Sequence, residues 1–311
     1  MEISRKTIRR SIHDFLRHYH HFTSAALIIF PVSSAILLSQ PFLSSSPLFR
    51  SIHSRLWSLF QSAGFPPTSP FFSLLNLKLS QTLSSSLFTL PLTLSFLLVA
   101  KSYIITTLSS TPHSSCLHLY RPLLLTHVCN SFILFSANST ALSLLFLAFN
   151  SFEALGITST NFFLFLSAAG AVLYSIILAN ALVVCNLALI VAGMENCGGH
   201  RAILWSGVLI RERAATALSL TIPTNLTLAV VEALFQYRVV KAYYESPKFH
   251  LSFLCEATLI AYIYSLILVL DTVIGCTFYR SCISENLSNR EITGEDNIGS
   301  FTYAKSVQEL P

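Results

Sequence analysis

The sequence predicts an all-α fold, a polytopic membrane helix bundle with six transmembrane helices and an N-terminal amphipathic helix. Three observations carry that expectation. Charged residues are 11% of the 311-residue chain and hydrophobic ones 53%, less than half the quarter of charged residues usual in soluble domains, and the mean hydropathy is +0.63. Six apolar segments long enough to cross a bilayer follow one another, and the basic stretch before them has helical spacing. Lipid must cover much of the surface. The net charge of +5 is too dilute to argue for nucleic acid, so the lipid bilayer is the expected partner, its anionic headgroups the charged neighbours.

Residues 1–21 carry Arg5, Lys6, Arg9, Arg10 and Arg17, while Ile8, Ile12, Phe15 and Tyr19 recur at steps of four, three and four. That stripe predicts a basic amphipathic cytoplasmic helix lying on a membrane surface, against anionic lipid headgroups; a frayed basic tail that only orients the first span is the alternative. His18, Tyr19, His20 and His21 form a cluster, but no second histidine box accompanies it and adjacent His20 and His21 point to different helix faces. No metal site is assigned. Without an A-x-A-like cleavage site after it, the first apolar run reads as an uncleaved anchor.

A transmembrane domain over 22–280 follows, with spans at 22–42, 81–107, 122–150, 162–194, 214–235 and 251–279. The first two are joined by a 43–80 Ser/Pro-rich loop, where Ile52, Leu56, Leu59 and Phe60 make a short apolar stripe beside Arg55 and Trp57. An interfacial helix with Trp57 at headgroup depth is expected there. The charge-free run from Ala154 to Met194 contains no Pro, so it reads as one long helix entered by a Thr158-Ser159-Thr160-Asn161 cap. Residues 281–311 are polar and lack periodicity, which predicts a disordered cytoplasmic tail.

Orientation follows from the basic residues. With the amino terminus inside, thirteen are cytoplasmic (Arg5, Lys6, Arg9, Arg10, Arg17, Lys101, Arg121, Arg201, Arg211, Arg213, Arg280, Arg290, Lys305) and six are outside (Arg50, Arg55, Lys78, Arg238, Lys241, Lys248). Both termini then face the cytoplasm, and the chain is integral to an endomembrane or the plasma membrane. Asn138 and Asn225 lie inside spans and Asn286 on the cytoplasmic side, so none of the three sequons is expected to carry a glycan.

The fifth span runs uncharged from Ala214 to Val231, roughly 27 Å of helix, and holds Pro223-Thr224-Asn225 at its middle, groups that neighbouring helices must satisfy. In the sixth, fourteen residues separate Glu256 from Asp271, roughly 21 Å where about 30 Å of hydrocarbon must be crossed, so at least one acid is at hydrocarbon depth. Their spacing lets one helix face carry both. Thr221, Asn225 and Glu232 share a stripe that could face Glu256, and His127, Asn130 and Asn138 share an arc of the third span. The candidate intramembrane polar site is therefore Asp271, Glu256, Glu232, Asn225 and His127; acids tied to basic neighbours, and Asn and His acting as interhelical hydrogen-bond glue, are the structural alternatives. Ser167, Ala171, Ser175 and Ala179 predict a small-residue helix-packing seam on the fourth span, with Asn180 and Asn186 adding polar contacts.

Seven cysteines show no C-x-x-C pair and read mostly as small apolar fillers, with Cys276 and Cys282 as palmitoylation candidates. No G-x-S-x-G, H-E-x-x-H, Walker A or G-x-G-x-x-G occurs, so no enzyme activity and no cofactor is assigned. The expected function is that of a non-enzymatic protein that organises membrane or binds a partner; the alternative is a small-solute or proton-coupled carrier using the intramembrane acids.

Three pieces carry a resemblance: Cys185-Asn186-Leu187-Ala188-Leu189 running to Gly193-Met194-Glu195; Pro223-Thr224-Asn225-Leu226 with Val231-Glu232-Ala233-Leu234-Phe235-Gln236-Tyr237-Arg238-Val239-Val240; and Asp271-Thr272-Val273 to Phe278-Tyr279-Arg280-Ser281-Cys282. Through them the chain resembles a family of plant polytopic membrane proteins of unknown function, most closely in its carboxyl-terminal half. The resemblance implies a six-span helical bundle and brings no activity, substrate or catalytic residue.

Overall fold

The computed structural model describes residues 2–43, 46–62, 70–109, 116–155, 160–211, 213–242 and 251–293, and their regular structure is all helical. The helices are α1 (Glu2–Arg17), α2 (Tyr19–Leu43), α3 (Pro47–Ser62), α4 (Pro70–Leu92), α5 (Leu98–Leu108), α6 (Cys116–Ala154), α7 (Thr160–Met194), α8 (His200–Arg211), α9 (Ala214–Phe235) and α10 (Leu251–Thr293). A π-helical turn, Thr93–Leu97, joins α4 to α5, and another, Gln236–Val240, extends α9. Six segments are long and apolar enough to cross a membrane: Tyr19–Ser39, Phe72–Leu108, His118–Phe152, Leu164–Met194, Ala214–Val240 and Leu254–Ser284. They are spans 1 to 6. Backbone in hydrocarbon must bond to itself, which is why each continues as helix even across Pro31, Pro91 and Pro223.

Pro91 shows how that is managed. A proline gives no N–H and crowds the preceding turn, and immediately after it the chain widens into the Thr93–Leu97 π turn. The hydroxyl of Tyr120 on span 3 donates to the Leu94 carbonyl in that turn at 3.1 Å.

Span 6 is the pillar of the bundle, because its residues belong to three of the apolar clusters. Ile274, Cys276, Phe278 and Tyr279 pack with Leu187, Ile190 and Val191 of span 4 and with Ala217 and Leu220 of span 5. Val269 and Val273 pack with Phe22, Ala25, Ala26 and Ile29 of span 1, and Ile260, Ala261 and Tyr264 pack with Val231 and Phe235 of span 5. Half of spans 1, 4 and 6 is buried, against 17% of span 5. The Pro223-bearing helix is thus peripheral.

The amphipathic α1 forms and docks on the bundle through part of its surface. Thr7 and Ser11 are its most buried residues, at 4% and 0% exposure, Ile8 and Phe15 pack against the core, and the helix lies against α9 and α10. Small hydroxyl side chains allow that close approach. Ile12, Leu16 and Tyr19 remain exposed.

Several expected boundaries move. Helix α3 occupies part of the 43–80 segment, and span 2 begins at Phe72 instead of residue 81; α3 is fastened to α4 where Ser80 and Asn76 hydrogen-bond His53. Helix α10 continues through residues 281–293, and the rest of the predicted tail, 294–311, lies outside the described residues, as do Thr158 and Ser159 of the predicted cap. Of the small-residue seam, Ser167 and Ala179 are half-buried. Ala171 and Ser175 are exposed, and the neighbouring face carries packing, with Gly170 beneath Leu145 and Tyr174 bonded to Asn138. Gly170 and Tyr174 are each one residue, about 100° of helix, from Ala171 and Ser175. Cys276 and Cys282 are 0% and 1% exposed, which removes both as accessible acylation sites.

Candidate functional site

Polar groups inside hydrocarbon are costly unless satisfied, so the bundle can be read by following each one to its partner. On span 3, Asn130 donates to the Cys185 carbonyl of span 4 at 2.7 Å. Asn138 donates to the Leu134 carbonyl at 2.9 Å and accepts from the Tyr174 hydroxyl at 2.6 Å. Both asparagines therefore sit between spans 3 and 4 as interhelical bonds. Ser265 donates to Ser33, tying span 6 to span 1 at 2.9 Å.

The two acids of span 6 lie on one face, and that face meets span 5. Glu256, two residues inside the span, accepts from Arg238 Nε at 2.7 Å with side chains 37% and 56% exposed. This is a surface pair. Asp271 lies about 20 Å from the Ser284 end at 1.5 Å per residue, and its Oδ1 accepts from Thr224 Oγ1 at 3.0 Å. Thr224 is 7% exposed, whereas Pro223 and Asn225 on either side face outward.

Near Asp271 stands Lys101. Counted with the cytoplasmic charges although the expected span 81–107 contains it, this residue lies inside span 2. Its ammonium acts electrostatically on Asp271 and on His127, and no described residue hydrogen-bonds it. The signal was present in the sequence: the run continues as Ser102-Tyr103-Ile104-Ile105 after the single charge, so the lysine interrupts a span without ending one.

The five predicted residues do not converge. Asp271 and His127 share the field of Lys101; Glu232 lies near Tyr264; Glu256 is at the far end with Arg238; Asn225 is exposed. Asp271 lines a pocket of about 50 Å³ between spans 4, 5 and 6, together with Asn186, Thr221 and Gly275 and a wall that includes Leu187, Leu220 and Phe278. Asn186, taken from sequence as a packing contact, and Thr221 are its other hydrogen-bonding side chains.

At the end of the bundle that carries α1, the segment Glu195–Gly199 is clamped from three sides. The Tyr279 hydroxyl donates to Glu195 Oε1 at 2.5 Å, the Gly199 N–H donates to Thr126 Oγ1 at 2.9 Å, and Asn196, at φ 51°, lies 3.3 Å from His118 Nδ1. Burial pushes the Cys197 thiol up, with the Glu195 carboxylate adding to the effect. Among the histidines first considered for a metal, His21 Nδ1 shares a 2.8 Å hydrogen bond with the Tyr103 hydroxyl, and His18 Nδ1 lies 3.2 Å from the Asp14 carbonyl oxygen.

A family model described as a domain of unknown function (DUF8558) matches residues 7–295, which covers all six spans. Neither a curated protein nor a solved structure matches the chain.

Proposed function

This chain belongs to the DUF8558 family, and we propose that it is a non-enzymatic multi-pass membrane protein that organises lipid or binds partners at the membrane face carrying α1. On this reading its relatives are the plant six-span proteins that its motifs resemble. The observation that supports it is the posture of α1. Arg5, Lys6, Arg9, Arg10 and Arg17 are all exposed while Thr7 and Ser11 hold the helix to the bundle, and Ile12, Leu16 and Tyr19 are exposed beside them. Cations fixed next to apolar side chains suit an anionic leaflet, each contributing about 1 kcal/mol near the surface. By the balance of basic residues that face is the cytoplasmic one, with both termini on it.

The test uses the full-length protein in nanodiscs that mix phosphatidylcholine and phosphatidylserine, with retained lipid measured by mass spectrometry. The expected result is enrichment of phosphatidylserine that falls in a variant with Arg5, Lys6, Arg9 and Arg10 changed to Gln and that weakens with salt. Equal lipid retention by the two proteins would overturn the reading.

A second reading, a small-solute or proton-coupled carrier, is favoured by one observation: Asp271, at hydrocarbon depth, opens onto a pocket. Flux across reconstituted vesicles that disappears in Asp271→Asn would support it, and unchanged flux would count against it.

A further inference from the structure

We propose that the cleft between spans 4 and 5, floored by span 6, binds the hydroxyl end of a neutral alkyl alcohol drawn from the bilayer. The argument begins with unmet hydrogen bonds. Thr224 occupies Oδ1 of Asp271, and no other described residue donates to that carboxylate. No described residue hydrogen-bonds the Asn186 amide, and the Thr221 hydroxyl donates back to its own helix at Ala217 O, 3.0 Å away, which leaves its lone pairs. All three side chains line the same pocket, roughly 10 to 20 Å below the α1 end of spans 4, 5 and 6 at 1.5 Å per residue. Polar groups left bare at that depth cost several kcal/mol. An occupant must both donate, to Asp271, and accept, from Asn186.

Charge and shape narrow the class. Lys101 supplies a positive field at Asp271, so the site as a whole does not call for a second cation, and a neutral group fits it better than an ammonium. Water-sized groups take roughly 10–15 Å³ each, so about 50 Å³ receives a hydroxyl and its first few carbons. The remaining walls, Val183, Leu187, Ile190, Ala217, Leu220, Ile274 and Phe278, are apolar. Spans 4 and 5 touch less extensively than either touches span 6, so the alkyl chain leaves through the gap between them into lipid. Gly275 widens the floor. A Cβ there would come within 2.2 Å of Ile190 Cδ1, so a side chain at 275 would push Ile190 out of place beside the pocket.

The test is photolabelling of the full-length protein in phosphatidylcholine nanodiscs with 3-azioctanol, a photoreactive alkyl alcohol, and mapping of the modified residues by peptide mass spectrometry. Saturable labelling within 183–190, 217–221 or 271–278, competed by octanol and reduced about tenfold by Asn186→Leu, is the expected result, the size following from loss of one to two hydrogen bonds. Asp271→Leu should act in the same direction; if it fails to fold, Asn186→Leu decides alone, since no described residue hydrogen-bonds that amide. Labelling that does not saturate, that spreads over the lipid-facing surface, that is indifferent to Asn186→Leu, or that is absent from the cleft because it holds only water would each overturn the proposal.

Discussion

Asn130 and Asn138, eight residues apart on span 3, both bridge to span 4 and are differently satisfied. The Asn130 amide donates to the Cys185 carbonyl, yet its Oδ1 is buried without a hydrogen-bond partner, whereas Asn138 has both ends engaged. Replacing Asn130 by Leu removes one bond and relieves one orphaned acceptor; replacing Asn138 removes two bonds and strands the Tyr174 hydroxyl. Interhelical hydrogen bonds in membranes are worth about 0.6 kcal/mol on average and up to about 1.7. Asn138→Leu should therefore lower the thermal midpoint in detergent micelles more than Asn130→Leu does. The reverse order would contradict this assignment of partners.

Lys101 and Asp271 predict a non-additive pair. Removing one partner leaves the other charge uncompensated inside the bundle, a loss of about 3–5 kcal/mol when the pair is fully buried, and less here, where both side chains are half-buried. Lys101→Met and Asp271→Leu should each reduce the folded fraction more than the double variant does. Denaturation of all four proteins closes the cycle, and strict additivity would mean that the two charges do not interact.

Two glycines in and after the Glu195–Gly199 clamp should respond oppositely to alanine. At Gly198 a Cβ would come within 2.9 Å of the Pro122 Cα, a backbone atom with no freedom to retreat, while at Gly207 it meets nothing within 4 Å. Gly198→Ala should separate the clamp from span 3 and destabilise the fold. Gly207→Ala, inside α8, should be neutral or stabilising by about 0.5–1 kcal/mol, since alanine loses less backbone entropy in a helix. Thermal melts of the two variants measure the contrast.

Thiol labelling provides a map of accessibility and one pH dependence. Cys255 is exposed, so maleimide should modify it in intact vesicles while Cys276 and Cys282 stay unmodified and unacylated until the protein is denatured, as read by peptide mass spectrometry. Cys197 should label slowly at neutral pH, because burial and Glu195 raise its thiol and the thiolate is the reactive form. A raised thiol forms thiolate only at higher pH. Glu195→Gln withdraws one of the two raising influences, so the labelling curve of Cys197 should move to lower pH; movement to higher pH would exclude the carboxylate as a cause.

The membrane spans were legible because length and apolarity depend on the chain alone. The polar contacts were less so. Asn130 and Asn138 could be recognised as interhelical groups because a buried amide at helical spacing has few other uses. Lys101 could not be paired with Asp271, since 169 residues separate them and the sequence does not say how spans 2 and 6 are rotated against each other. Small side chains occur on adjacent faces of span 4, and the position of Leu145 over Gly170 shows which of them meets span 3 there. Thr224 stands out in the sequence beside Pro223 in the middle of span 5, whereas its bond to Asp271 depends on how spans 5 and 6 are rotated.

What the amino-acid order determined unaided was the solvent: 53% hydrophobic residues in six long runs have no stable home in water, and a backbone in lipid has little choice but to be helical. The tertiary structure decided which faces of those helices meet. Apolar side chains all round a helix give no preferred azimuth, and the neighbours of Asp271, the docking of α1 through Thr7 and Ser11, and the central place of span 6 were set by close packing between helices, which no single segment encodes.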